Sequence, residues 1–249
     1  MTRVPNLPNP PKLPSNLRLG GVTLLLLALL LAWDATQGDL ALARLAGTPM
    51  GFPWRDNAFL VRVMHESAKN LSWLLVIALF ASIRWPMGIL RRLPVRARAQ
   101  LAFTVLLSVV AISLLKHASH TSCPWDLKEF GGTASHVSHW AWKVYDGGPG
   151  GCFPAGHASA AFAYVGGYFV LRRVSPRAAV IWLCASLVAG LMLGMSQQLR
   201  GAHYMSHTLW TAWICWAVGF AIELIAAPRI SRSSAAEPAA ESVVLNAGS

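Results

Sequence analysis

Long apolar runs, separated by short basic or Gly/Pro-rich segments, dominate the chain. The runs cover residues 19–33, 71–83, 101–115, 157–171, 178–198 and 205–227. With their flanks, runs of this length are typical of helices that cross a bilayer. The pattern therefore predicts an all-α integral membrane protein, with six transmembrane helices packed in a bundle.

The two ends of the chain differ in composition from this apolar region. Residues 1–18 are polar and rich in proline, and the segment after residue 227 is rich in Ser, Ala and Glu. Such compositions predict disorder. We expect a disordered cytoplasmic head (1–18), a six-helix membrane domain (19–227) whose motifs lie within 116–207, and a disordered cytoplasmic tail (228–249).

Composition and charge support the membrane class. The chain is 55% hydrophobic and 12% charged, whereas soluble domains carry about 25% charged residues. The net charge of +11 sits in short basic clusters between the apolar runs, which favours anionic lipid headgroups over nucleic acid as a partner. The side that holds both termini, 84–98 and 172–177 carries the larger share of Lys and Arg, so the positive-inside rule predicts cytoplasmic termini.

Basic residues and histidines gather at the opposite, extracytoplasmic ends of three predicted helices. They are Lys116, His157, Arg200, His203 and His207. Such groups near a bilayer boundary are costly unless they are used. If residues 199–207 are helical, Arg200, His203 and His207 share one face. Lys and Arg bind phosphate oxygens, while one imidazole can attack phosphorus and another can protonate the leaving oxygen.

At these residues the sequence resembles the type-2 phosphatidic acid phosphatase superfamily, over about residues 101–227. The family pattern is Lys, six residues, Arg-Pro; then Pro-Ser-Gly-His; then Ser-Arg, five residues, His, three residues, Asp. The matching positions here are Lys116 and Cys123-Pro124, then Pro154-Ala155-Gly156-His157, then Ser196-Gln197, His203 and His207, with all spacings kept.

The resemblance implies a role for each matched residue. His203 corresponds to the nucleophile that forms a phosphohistidine, and His157 corresponds to the general acid. Lys116 corresponds to a phosphate clamp, and Gly156 belongs to the same phosphate-binding motif. His207 stands at the position of the family's carboxylate and is grouped with the catalytic histidines. The family's activity requires no cofactor, and we expect none and no metal.

Four positions depart from the family pattern: Cys123 for Arg, Ala155 for Ser, Gln197 for Arg and His207 for Asp. Arg200 is a candidate to replace one lost arginine at the phosphate. Asp126 is a candidate for the missing carboxylate, with a loop-capping role as the alternative. Ser196 and Gln197 are possible supporting residues.

Two cysteines fall in the same region. If the motifs assemble as in the family, Cys123 and Cys152 border one phosphate pocket, and an oxidising periplasm would sustain a disulfide between them. The alternative is a pair of free thiols. The sequence leaves both open.

The most favoured function is a membrane phosphohydrolase that cleaves a phosphate monoester or pyrophosphate of a lipid. Lipid A, polyprenyl pyrophosphate and phosphatidylglycerol phosphate are candidate substrate classes, and the expected location is the bacterial inner membrane with the site facing the periplasm. A lipid-to-lipid phosphotransferase would use the same residues. A haem-binding or non-enzymatic bundle is a further alternative, because His117/His120 and His136/His139 are paired at a spacing of three; in a polar loop such pairs are more often solvated than metal-bound.

Overall fold

The structure is a computed structural model that describes residues 15–141 and 143–246, with side chains described as far as residue 226. Eight α-helices are present in this part of the chain, and it contains no β-strand. They are α1 (Asn16–Ala35), α2 (Gly38–Ala46), α3 (Ala68–Arg84), α4 (Val95–Ala118), α5 (Ser159–Phe162), α6 (Gly167–Leu171), α7 (Pro176–Leu199) and α8 (Met205–Asn246).

Several tighter or wider helical turns join these helices. A π-helical segment, Phe59–Ser67, runs directly into α3. Short 3-10 turns lie at Gly88–Arg92, Pro124–Asp126 and Lys128–Phe130, and a fourth, Ala163–Gly166, links α5 to α6.

Five helical stretches of the described chain are long and apolar enough to cross a membrane. They are Asn16–Ala35, Phe59–Arg92, Val95–Ala118, Pro176–Leu199 and Met205–Ala226. The remaining apolar helix, Ser159–Leu171, is shorter and at 1.5 Å per residue rises only about 20 Å. The structure thus supports a helical protein with five candidate spans, while the sixth span and the cytoplasmic placement of the termini stay predictions.

The short run from α5 to α6 forms the centre of the bundle. Phe162, Phe169 and Leu171 are each 0% exposed. A Cβ atom built on Gly166 would lie 2.3 Å from Thr104 Cγ2, and one on Gly219 would lie 3.0 Å from the Gly166 Cα atom. Only glycines permit α4 and α8 to pack this closely against the central run, which explains how a short helix can be enclosed by longer ones.

A buried ion cluster fixes the far end of the bundle. Glu223 lies on α8, about 27 Å along the helix from its start, and its side chain is 2% exposed. It pairs with Arg172 at 3.1 Å and with Arg173, and it accepts a hydrogen bond from Gln100 Nε2 at 3.0 Å. Because an unpaired buried charge is expensive, these bonds hold α4, α6 and α8 in one register.

At the other end, the long connection between α4 and α5 folds into an ordered cap. Gly151 N–H donates to Ser119 O and Cys152 N–H donates to Thr121 O, both at 2.9 Å. Asp146 binds this cap together, because its carboxylate accepts hydrogen bonds from the Ser122 N–H and hydroxyl at 2.6 and 2.8 Å. The start of this connection, at residues 119–121, and its end, at residues 151–152, therefore run side by side over the helix ends.

Several helices begin or end at residues other than those expected from the sequence. The head predicted at 1–18 lies largely outside the described residues, although α1 already begins at Asn16. α8 continues as helix to Asn246, through most of the segment predicted as a disordered tail. The run predicted to start a helix at His157 instead begins at Ser159, which leaves His157 in a turn.

Candidate active site

The three sequence motifs meet at the capped end of the bundle. Lys116, near the end of α4, packs against Gly156, because a Cβ atom at Gly156 would lie 3.4 Å from Lys116 Cδ and 3.9 Å from Nζ. The charge of Lys116 and the imidazole of His157 both act on His203, and each lowers its pKa. The expected convergence of these residues is therefore present in the structure.

His203 lies in a non-helical link between α7 and α8. Gly201 has a φ of +74°, a left-handed conformation that ends helices, and α8 begins only at Met205. Residues 199–207 do not form one helix, so the condition under which Arg200, His203 and His207 would share a helical face is not met. The break instead turns His203 inward, where it is 5% exposed.

The electrostatics of the site keep His203 neutral. Burial is the main cause that lowers its pKa well below the ordinary value, and the nearby Lys116 charge adds to the effect. A neutral imidazole has a free nitrogen lone pair at pH 7. His203 is therefore in the protonation state that a nucleophile requires.

Cys152 contacts both histidines of the third motif. Its carbonyl oxygen lies 3.1 Å from His207 Nδ1, and its backbone also hydrogen-bonds His203. His203 Nδ1 is 3.6 Å from Cys152 Sγ. Since a carbonyl only accepts hydrogen bonds, His207 carries its proton on Nδ1.

A disulfide holds this carbonyl in place. Cys123 and Cys152 are bonded, with Cα atoms 5.2 Å apart and a sequence separation of 29. Cys123 stands where the family has an arginine, and His207 where it has an aspartate. In this chain a disulfide-bonded cysteine thus occupies the position of the family's arginine. A histidine that is hydrogen-bonded to a backbone carbonyl occupies the position of its aspartate.

His157 is paired with a histidine that the sequence analysis missed. Its ring stacks on that of His65, with centroids 3.4 Å apart, and its Nε2 donates to the His65 carbonyl oxygen at 2.9 Å. Burial lowers the pKa of His157 to about 4, with smaller contributions from the His65, Lys116 and Arg200 charges. The bond at Nε2 leaves Nδ1 as the nitrogen able to accept a proton.

His65 lies in the π-helical segment that precedes α3. The segment Phe59–Ser67 has the wider π-helical winding, a geometry that often marks functional sites. The His65 side chain also hydrogen-bonds Gln197. A lone histidine in an amphipathic stretch carries no motif, so the sequence offered no signal for this placement.

The polar residues at the end of α7 hold Arg200. Its Nη1 donates to Gln197 Oε1 at 3.1 Å, and its Nε donates to Arg55 O at 2.8 Å. Gln197 in turn donates to Ser196 Oγ at 3.2 Å. Gln197, although it replaces a family arginine, therefore positions the arginine one turn later.

Asp126 is placed in the cap rather than at His203. Its carboxylate accepts the Cys123 N–H at 3.2 Å and also hydrogen-bonds Trp125, while burial raises its pKa. These contacts cap the Pro124–Asp126 turn. The sequence suggested Asp126 as the carboxylate beside the nucleophile. In the structure His203 instead hydrogen-bonds the Cys152 backbone.

The paired histidines of the cap do not form a metal-binding set in the described chain. The one close group of His, Cys and acidic ligand atoms there consists of Cys123, Cys152 and His203. Its two sulfurs are joined to each other and cannot act as thiolates. His139 instead stacks on Phe153, with ring centroids 4.2 Å apart.

Comparison with known proteins adds an independent observation. A family model, the PAP2 superfamily, matches residues 97–230, a region that contains every motif described above. No curated protein and no solved structure matches the chain. PAP2 is the type-2 phosphatidic acid phosphatase superfamily, so the match confirms the resemblance noted in the sequence. With more than half of its length matched and its three motifs gathered at one end of a helical bundle, the chain belongs to this superfamily, whose members are generally phosphatases.

Proposed function

We propose that this protein is a membrane phosphohydrolase that cleaves a phosphate monoester or pyrophosphate of a lipid through a phosphohistidine at His203. The proposal is carried by the arrangement around His203. This imidazole is buried and neutral, it hydrogen-bonds the Cys152 backbone, and it is close to Lys116 and His157. An unprotonated imidazole beside fixed positive charge suits attack on a phosphate group.

In the first step, His203 Nε2 forms a bond to phosphorus while the bond from phosphorus to the leaving oxygen breaks. Lys116 and Arg200 offset the negative charge on the phosphoryl oxygens. The leaving oxygen takes a proton from His157. Because the free enzyme holds His157 unprotonated near pH 7, the proton arrives with the substrate, from a phosphate whose second pKa is about 6.

In the second step, water attacks the phosphohistidine and the bond from nitrogen to phosphorus breaks. His157 accepts a proton from the attacking water and passes it to the departing phosphate, so inorganic phosphate leaves and both His157 and His203 return to their neutral forms. The Cys152 carbonyl stabilises the positive charge that His203 carries while phosphorylated. Its contribution takes the place of the carboxylate that His207 replaces.

The proposed location follows from the charge pattern of the sequence. More of the Lys and Arg residues lie on the side that holds the ion cluster of Glu223, Arg172 and Arg173. The positive-inside rule therefore puts the opposite, capped end of the bundle outside the cytoplasm. A disulfide within that cap fits an oxidising compartment. We therefore place the site on the periplasmic face of a bacterial inner membrane.

Phosphate release from purified protein in detergent tests the proposal. The substrate panel comprises a phosphatidylglycerol phosphate, a polyprenyl pyrophosphate, a lipid A and a phosphatidic acid. We expect release from at least one of them, unchanged by EDTA, because Lys116 and Arg200 supply the positive charge. Transfer of the phosphoryl group to an added lipid alcohol without free phosphate would favour the phosphotransferase alternative, and loss of activity in EDTA that a divalent ion restores would contradict the mechanism.

The pH dependence of the reaction follows from the two histidines. Because the pKa of His203 is well below 6.5 and that of His157 is about 4, both are neutral down to mildly acidic pH. Above about pH 6 the substrate loses the proton that His157 must transfer. We expect kcat/KM for a lipid phosphate monoester to be highest between about pH 4 and 6 and to fall at higher pH. A maximum at pH 8 would contradict this assignment.

A variant isolates the contribution of His157 as the general acid. His157→Asn keeps a donor for the His65 carbonyl but cannot transfer a proton. It should lose most turnover of a lipid phosphate, while p-nitrophenyl phosphate, whose leaving group needs no proton, should retain much more. Equal losses for both substrates would show that His157 is not the acid.

A further inference from the structure

His65 contacts two separate parts of the candidate active site. Its ring and its carbonyl oxygen meet His157, and its side chain hydrogen-bonds Gln197, which holds Arg200. The acid and one phosphate-binding residue of the proposed mechanism therefore share a single neighbour. That neighbour lies outside the three family motifs and outside the matched residues 97–230.

The contact with His157 fixes both the position and the plane of its ring. The His65 carbonyl accepts a hydrogen bond from His157 Nε2 at 2.9 Å, which holds one atom of the imidazole. The two rings also stack, with centroids 3.4 Å apart and planes inclined by 11°, and this contact restricts rotation of the imidazole about the hydrogen bond. Nδ1, the nitrogen that exchanges protons in the proposed mechanism, is therefore held in one direction, as a general acid requires.

The contact with Gln197 acts on Arg200. The Gln197 side chain is buried, and its Oε1 accepts a hydrogen bond from Arg200 Nη1 at 3.1 Å. Its Nε2 donates to Ser196 Oγ at 3.2 Å. A carboxamide can make four hydrogen bonds, so the bond to His65 is compatible with both. Three bonds to one buried amide fix its orientation, and with it the direction of the guanidinium.

The position of Gln197 in the family pattern shows why this support matters. The family has a phosphate-binding arginine there, whereas the amide of Gln197 carries no charge. In the proposed mechanism Arg200, at the end of α7, supplies the missing charge from a position three residues later. Its guanidinium must then be directed toward the phosphate by its neighbours. Gln197 and His65 provide that direction.

The nitrogens of His65 are both withheld from a substrate. Nδ1 is buried, and it has no hydrogen-bond partner in the described part of the chain, so the bond to Gln197 uses Nε2. The ring meets His157 through its face, which carries no exchangeable proton. Any effect of His65 on the reaction therefore passes through these two neighbours.

We infer that His65 is a positioning residue that couples the general acid to the phosphate-binding arginine. The inference rests on the proposed function, which assigns proton transfer to His157 and phosphate binding to Arg200. The ring face of His65 orients His157, and its Nε2 orients Arg200 through Gln197. Because the two contacts use different parts of one side chain, two substitutions can remove them one at a time.

His65→Phe removes the contact with Gln197 alone. It keeps a flat ring for the stack on His157 and leaves the backbone carbonyl in place. Arg200 then loses part of its support, so KM should rise about fivefold or more, the size of one lost hydrogen bond. The rise should be the same for a lipid phosphate and for p-nitrophenyl phosphate, with kcat changed by less than about twofold.

His65→Gln removes the stack alone. Its side-chain amide can still bond Gln197, but it offers no ring face to His157. The kcat for a lipid phosphate should fall about tenfold or more, part of the contribution of a general acid. Turnover of p-nitrophenyl phosphate, whose leaving group needs no proton, should change by less than about twofold, and KM should stay near the wild-type value for both substrates.

Val63→Ala is the control in the same π-helical segment. Val63 is 48% exposed and makes none of these contacts, so this variant should keep wild-type kcat and KM. The unfolding temperature in detergent is recorded for every variant. A role in packing alone would lower the unfolding temperature and slow both substrates equally in both His65 variants, and that result would overturn the inference. Each His65 variant removes one contact, so either one alone decides whether that contact positions its partner.

Binding of inorganic phosphate separates this inference from the proposed function, because it needs no turnover. In a calorimetric titration in detergent, His65→Phe should bind phosphate about fivefold or more weakly than the wild-type protein, whereas His65→Gln should bind it equally well. This pattern in a protein that turns over no substrate would support the positioning of Arg200 and overturn the phosphatase proposal. Normal turnover with wild-type kinetics and phosphate binding in both variants would overturn the role of His65 and leave the phosphatase proposal standing.

Discussion

Replacement of His203 by alanine is expected to slow phosphate release by a factor of about 10⁴ or more. The variant lacks the nitrogen that bonds to phosphorus, and loss of a covalent nucleophile typically costs this much. The measurement is the single-turnover rate with the best substrate of the panel, compared with the wild-type protein. Because the site is buried, the unfolding temperature in detergent must be recorded for both proteins.

A neighbouring histidine provides the matched control. His117 follows Lys116 directly and is exposed at the same end of the bundle, but it makes none of the contacts described for the active site. His117→Ala should retain near wild-type turnover. Phosphate release by His203→Ala at a rate comparable with that of His117→Ala would rule out His203 as the nucleophile.

Loss of the Cys123–Cys152 disulfide should reduce both stability and turnover. The bond joins two cysteines at a sequence separation of 29, and chain-entropy arguments give a loop of this size about 3 to 4 kcal/mol of stabilisation. Without it, the Cys152 carbonyl is no longer fixed against His203 and His207, so kcat should fall more than the substrate KM rises. The double variant Cys123→Ser and Cys152→Ser measures both effects, by chemical unfolding in detergent and by steady-state kinetics.

Two control experiments make this prediction specific. Cys184 is a free, exposed cysteine on α7, and Cys184→Ser should leave stability and kcat unchanged. A reductant should slow the wild-type protein and have no effect on the double variant. Unchanged kcat in the folded double variant would show that the disulfide does not position the histidines.

The sequence predicted the parts of the site that depend on residue spacing. Lys116, His157 and His203 keep the family's intervals, and the apolar runs that carry them predict helices, so their convergence at one end of a bundle was foreseeable. The conformation between α7 and α8 was less predictable. The three-four spacing of Arg200, His203 and His207 is compatible with a helix, but the left-handed Gly201 lies in a non-helical link. A glycine can sit within a helix or end it, and only its tertiary surroundings decide.

Other parts of the site depend on contacts that no local pattern encodes. His65 lies in the π-helical segment before α3 and stacks on His157, which is 92 positions away in sequence. The Cys152 carbonyl acts on His207 through its backbone, so the side-chain identity gives no indication of it. Each of these arrangements is set by packing between distant segments.

Direct identification of the phosphorylated atom tests the central claim. The wild-type protein would be mixed with a ³²P-labelled lipid phosphate, quenched with alkali within milliseconds to seconds, and digested for mass-spectrometric mapping. Because Nδ1 of His203 faces Cys152, we predict acid-labile phosphate on His203 at Nε2, with no label in His203→Ala. Label on another residue, or release of phosphate at the full rate while His203 never carries the phosphoryl group, would contradict the account.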